Sequence, residues 1–237
     1  MQKSFIFRLI TVRLSAMAVL YAAEHIVPVE NGYFYTDSLY SKIYFTDSKE
    51  SELCLQGPGA GRFYTVSFDE KYIGFKYRQE AGGLEAPAVY SLDDAKVELL
   101  HPAVYRSGQV SFSREGKIAY TIDESLYIKD GDDVISYDLG CYANLAPISP
   151  DGNRVVYNDE ADQLWVMDLS TGSKTKITAS TYGHVYPGWS ADSRYVSYSC
   201  LDGTIKIYDT RETTTQDLGS AAKLRWSNDS DEYTYLK

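Results

Sequence analysis

APISPDGNRVVYNDEADQLWVMDLSTGSKTKIT, residues Ala146 to Thr178, reads as one unit of four short strands. Ile148-Ser149-Pro150 closes the first strand. Asp151-Gly152 follows, a turn dipeptide between two apolar runs and the strongest short-range hairpin signal. Arg154 to Tyr157 is the second strand and Gln163 to Asp168 the third. Ser170-Thr171-Gly172 turns the chain again, and Lys174 to Thr178 is the fourth. One such sheet cannot bury both of its faces. It requires copies of itself to stack on.

The copies are present. An apolar alternation closed by aspartate, the third-strand ending, recurs at Lys42–Asp47, Ala88–Asp93, Leu126–Asp130, Leu164–Asp168 and Ile205–Asp209. The first hairpin recurs as well, at Val66–Phe75, Phe112–Tyr120, Ile148–Tyr157, Trp189–Tyr198 and Trp226–Tyr235. Each copy has an apolar residue, a serine, a turn and an alternating strand. The two series interleave in strict order. Four strands in a period of roughly 40 residues is the pattern of a β-propeller. The expected fold is therefore all-β, with four-stranded antiparallel blades.

The Ser-Pro-Asp-Gly hairpin, the Leu-Trp-Val-Met-Asp-Leu strand and the Lys-Ile-Thr strand together resemble the repeat of TolB-like propellers. The unit from His184 to Asp209 is more similar to a WD repeat. It has Gly183-His184, then Trp189-Ser190, then the Asp202-Gly203 turn before Thr204 to Asp209. In WD repeats a histidine, a strand serine or threonine, a turn aspartate and a tryptophan share a buried hydrogen-bond network. The resemblance implies that role here for His184, Ser197 or Ser199, Asp202 and Tyr208, with tyrosine standing where tryptophan is usual. It covers roughly residues 30 to 237. It implies a non-catalytic protein-binding or scaffold propeller of the bacterial cell envelope, periplasmic or secreted. The alternative is a carbohydrate-active enzyme, similar to polysaccharide lyases that share this look, with its site in the central channel.

Residues 24 to 237 are expected to form a single propeller domain. Residues 1 to 23 have the outline of a secretory signal peptide: Lys3 at the start, an apolar stretch, then Ala22 and Ala23 before Glu24. Arg8 and Arg13 interrupt the apolar stretch, and the alternative is two strands, residues 5–10 and 16–21. The chain ends on two strands of an unfinished blade, and unfinished blades expose pairing edges. Two closures follow. Residues 5 to 20 complete six blades, the favoured expectation, or the final strands pair with those of residues 33 to 55 and complete five.

The net charge is −10, and no lysine–arginine run exceeds two positions. Nucleic acid requires a basic footprint, so it is not an expected partner. Anionic lipid is excluded on the same ground, and no membrane insertion is expected once a leader is removed. Three cysteines cannot form a closed disulfide set, and none lies in a Cys-x-x-Cys pair. The three histidines fall in different blades, and no Gly-x-Ser-x-Gly elbow exists. No catalytic residue, cofactor or metal is assigned. An aspartate repeated in every blade reads as a turn residue. Gly57 to Gly61 is a crossover, without the ending of a phosphate loop. Arg78 to Ala88, the one long insertion, reads as a long hairpin or disorder rather than a site. The candidate binding site is the channel mouth, where the crossovers leading into the innermost strands gather. Those crossovers carry Arg62, Tyr105, Arg106, Tyr142, Tyr182 and Tyr186, residue types that anchor interfaces.

Overall fold

β-branched and aromatic residues alternate with polar ones along nearly the whole chain, and Gly, Asp, Asn and Ser punctuate them. That composition favours pleated strands joined by tight turns. The computed structural model describes residues 24–236 except 48, 79–82, 179–182, 221–222 and 228–229. Among them are 21 strands and no helix.

Blade one is β1 (Glu24–Val29), β2 (Gly32–Thr36), β3 (Lys42–Thr46) and β4 (Ser51–Gln56). Blade two is β5 (Thr65–Val66), β6 (Tyr72–Arg78), β7 (Glu85–Ser91) and β8 (Lys96–Leu99). Blade three is β9 (Ser111–Phe112), β10 (Ile118–Ile122), β11 (Ser125–Asp130) and β12 (Asp133–Asp138). Blade four is β13 (Arg154–Asn158), β14 (Leu164–Asp168) and β15 (Lys174–Lys176), with an innermost strand reduced to the Ile148–Val155 bridge. Blade five is β16 (His184–Trp189), β17 (Tyr195–Cys200), β18 (Thr204–Asp209) and β19 (Thr214–Ser220). Pairing within each blade is antiparallel and in chain order. All five aspartate-closed runs are third strands, as the spacing predicts.

The count among the described residues is five blades, the second of the two expectations. The joint differs from the one expected with it. The last strands, β20 (Lys223–Trp226) and β21 (Tyr233–Leu236), pair with each other, while blade one's four strands pair among themselves. This hairpin stands between blades five and one. The Trp226 ring stacks on Tyr195, and its Nε1 donates to Ser197 Oγ at 2.8 Å. On the other side Arg225 donates to the Ile26 carbonyl at 2.6 Å. The closure through residues 5 to 20 and the signal peptide both lie outside the described residues.

The core lies between blades. Phe34, Ile43 and Leu55 of blade one pack with Ile73, Phe75 and Ala88 of blade two. Val89 packs with Val110, Phe112 and Tyr120 across the next gap. Leu126 and Ile128 meet Val155 and Tyr157, and Val156 and Val166 meet Trp189, Val196 and Tyr198. The twofold period of a strand explains β13: Val155 and Tyr157 face blade three, and Val156 between them faces blade five.

A buried serine organises the first hairpin of blades two to five. Ser67, Ser149 and Ser190 donate to the carboxylates of Asp69, Asp151 and Asp192 at 2.5–2.6 Å. The same hydroxyls accept the backbone N–H groups of Tyr72, Arg154 and Tyr195 at 2.8–3.0 Å. Ser113 accepts that of Lys117 in blade three. The fourth turn residue has positive φ in each case: Glu70, Gly116, Gly152 and Ser193. That explains the glycine of the Asp151-Gly152 pair. The strand-closing aspartates also serve turns. Asp47, Asp168 and Asp209 each accept two backbone N–H groups from the residues that follow. Arg194 forks onto Asp209 and holds that carboxyl down at about 2.

Ser190→Ala tests this hairpin role. It leaves the Tyr195 N–H without its acceptor in a buried turn, at a cost of ~1–3 kcal/mol. A thermal melt should show a clear drop. A change within ~0.5 kcal/mol would mean the hydroxyl is dispensable.

Candidate channel-mouth site

Side chains from the crossovers into blades two and four meet at Lys76. Lys76 lies near the end of β6, in the buried run Ile73 to Lys76, and is only 6% exposed. Its ammonium donates to Asn144 Oδ1 at 2.7 Å. Asn144 sits in the crossover into blade four, so the lysine of blade two spans blade three to reach it. Glu85, the first residue of β7, places Oε2 3.5 Å from the same nitrogen. Burial holds the Lys76 ammonium below the ordinary lysine range; Glu85 pulls it back up and the charge of Arg62 depresses it further.

Around this pair the network continues. Tyr142 donates its hydroxyl to the Ser107 carbonyl at 3.1 Å and lies 3.4 Å from Asn144 Oδ1. Burial raises the Tyr142 phenol above its usual range, reinforced by Glu85 and opposed by Arg106. The Arg106 guanidinium lies 5.6 Å from the Tyr142 ring centroid and 3.4 Å from Glu160. Both Arg62 and Lys76 sit against the Phe63 ring, at 5.4 and 5.5 Å from its centroid. The chain is close-packed beneath. A Cβ on Gly108 would stand 1.9 Å from Thr121 Oγ1 and 2.8 Å from the Ala143 carbonyl.

Of the sequence candidates, Arg62, Arg106 and Tyr142 are brought into this network. Tyr105, beside Arg106, is 80% exposed and makes no part of it. Tyr186 stands on a bulge in β16, with φ of 55° and 70% exposure. Tyr182 lies outside the described residues. His184 pairs through its backbone with Cys200, and its side chain lies outside them too. Ser197 accepts from Trp226 and donates to the Gly188 carbonyl at 3.3 Å. Asp202 accepts from the backbone and hydroxyl of Thr204, and Tyr208 is buried. A hydrogen-bond chain linking His184 to Ser197 or Ser199 and Asp202 is therefore a proposal resting on the sequence spacing.

Lys76, Glu85 and Asn144 were missed. The available signal was a lysine set between Phe75 and Tyr77 in the apolar run that opens β6. The strands that flank the insertion pair as far as Arg78 with Glu85, and they carry Lys76 and Glu85. Among the described residues no three His, Cys, Asp or Glu side chains gather as a metal site would require.

No known family's sequence pattern matches the chain, and no curated protein matches it in sequence. Solved structures do. The putative TolB of Agrobacterium tumefaciens aligns with a TM-score of 0.66 at 16% identity, over 87% of each chain. TolB of Acinetobacter baumannii aligns at 0.59 and 17%, over 81% of this chain and 50% of that one. An oligogalacturonate lyase in complex with manganese aligns at 0.63 and 10%, over 85% and 65%. The β-propeller domain of Cps50 (Swd1) from Myceliophteria thermophila aligns at 0.59 and 11%, over 73% and 60%. The chain is a β-propeller, with a fold similar to that of TolB and of WD-type propellers.

Lys76 separates a structural from a functional role for the network. A buried ion pair contributes little net stability over a hydrophobic pair, but stripping one partner leaves a buried charge. Glu85→Gln should therefore lower the melting temperature, while the double variant Lys76→Met, Glu85→Gln, which removes both charges, should match the wild type within ~1 kcal/mol. A large loss in the double variant would make the lysine a structural strut.

Proposed function

We propose that this propeller is a non-catalytic binding module that takes a protein partner at the crossover end of its channel. The observation that carries the reading is the mouth itself. A buried lysine, two arginines and aromatic rings are tied together there by crossovers from several blades, and Tyr105 beside them stands in solvent. Aromatic and arginine side chains on a rigid support are what interface anchors consist of. The likeness to TolB supports a role in the bacterial cell envelope, periplasmic or secreted, and the leader-like pattern of residues 1 to 23 is consistent with export. The charge of −10 remains the argument against nucleic acid.

The lyase neighbour supports a second reading, an acidic-polysaccharide lyase with its site in the channel. It is tested separately. Product with an unsaturated uronate end, formed from oligogalacturonate and manganese by this protein above a no-protein control, would overturn the non-catalytic reading.

The binding reading is tested by photo-crosslinking from an envelope extract of the native host. Wild-type protein and a Glu115→Ala control on the hairpin-turn end should capture the same species. A Tyr105→Ser, Arg106→Ala double variant with an unchanged melt should lose it. Equal capture by all three proteins would sink the reading.

A further inference from the structure

We propose that Arg62, Lys76 and Asn144 form a carboxylate-binding site, and that its ligand is an acidic segment of a protein partner. This rests on the protein-binding reading and names the chemistry of the segment bound. An ammonium can only donate, so the Asn144 atom facing Lys76 is the carbonyl oxygen, and the amide NH2 is turned away from it. No buried side-chain nitrogen or oxygen among the described residues lacks a partner, so that NH2 lies at accessible surface.

Arg62 is exposed, and among the described residues its guanidinium has no carboxylate partner; its contact is the Phe63 ring. Lys76 lies against the same ring. Two cations are thus held beside one aromatic side chain, and among the described residues Glu85 alone forms an ion pair with either. The arrangement offers donors and a local charge of about one positive, on a chain of net charge −10. A single carboxylate satisfies it: the guanidinium takes two oxygens in its planar fork, and the amide supplies a further hydrogen bond. A dianionic phosphate would exceed the charge on offer. Tyr105, in the crossover into blade three, is an exposed aromatic side chain of the sort peptide segments pack on.

Fluorescence anisotropy on the full chain tests the site with three labelled probes: a short capped glutamate peptide, its glutamine counterpart and oligogalacturonate. The glutamate peptide should bind saturably and the glutamine peptide should not. Asn144→Asp keeps the acceptor for Lys76 and replaces the NH2 donor by an anion; Arg62→Gln removes an exposed charge. Arg62→Gln should leave the melt unchanged, Asn144→Asp should remain folded by its melt, and each should weaken the glutamate peptide about tenfold or more. Arg114→Gln, on the hairpin-turn end, should leave it unchanged. Absence of glutamate-peptide binding, or equal binding by both variants, overturns the proposal. Saturable binding of oligogalacturonate alone, lost in the same variants, overturns the peptide assignment in favour of an acidic sugar. If crosslinking at the mouth persists while the glutamate peptide fails, this site falls and the protein-binding reading stands.

Discussion

Face-to-face stacking of blades is the constraint on which everything else depends. Each of the four buried apolar clusters joins residues of two consecutive blades. A blade removed from its neighbours would expose both faces, and a sheet of four short strands has nothing else to bury. The repeated sequence follows from that need. Every strand that faces two neighbours must be apolar on both sides, which is why the second strands read as nearly continuous apolar runs. Val155, Val156 and Tyr157 are all fully buried for this reason. Buried polar side chains interrupt these runs at Thr36, Lys76, Thr121 and Ser197, and Lys76 alone among them carries a charge.

Stacking alone is non-directional, and polar contacts fix the geometry of the stack. The serine hydroxyls rigidify the first hairpins of blades two to five, and side chains then stitch blade to blade. Arg154 reaches from blade four to Thr210 Oγ1 and the Ser193 carbonyl of blade five. Trp189 donates back to the Pro147 carbonyl. Thr65 and Ser111 link consecutive innermost strands through the Val110 and Ala146 carbonyls. At the joint, Arg225 and Trp226 hold the last hairpin between blades five and one. The mouth network is the same device used once more, from blade two across to blade four.

Much of this was legible in the chain. The five third-strand aspartates, the five serine hairpins and the place of the crossovers all follow from short local patterns, in which one residue type answers a need of its own turn. The channel-mouth candidates Arg62, Arg106 and Tyr142 could be named because crossovers are local too. What escaped was long-range. The serine was visible in every repeat, but its burial was not. Asn144 lies 68 residues from Lys76, and nothing in either neighbourhood signals the other. The joint between β20 and β1 joins residues 199 apart. Such pairings are set by ring geometry, which periodicity announces without giving its register.

Native-state hydrogen exchange across the five blades tests the central claim, that no blade has a core of its own. If stability resides between blades, the amides of the second and third strands in every blade should open with one shared free energy under mild denaturant. If a blade's strands instead exchange as an independent unit while the other blades stay protected, that blade buries its own core, and stacking is not what holds the molecule together.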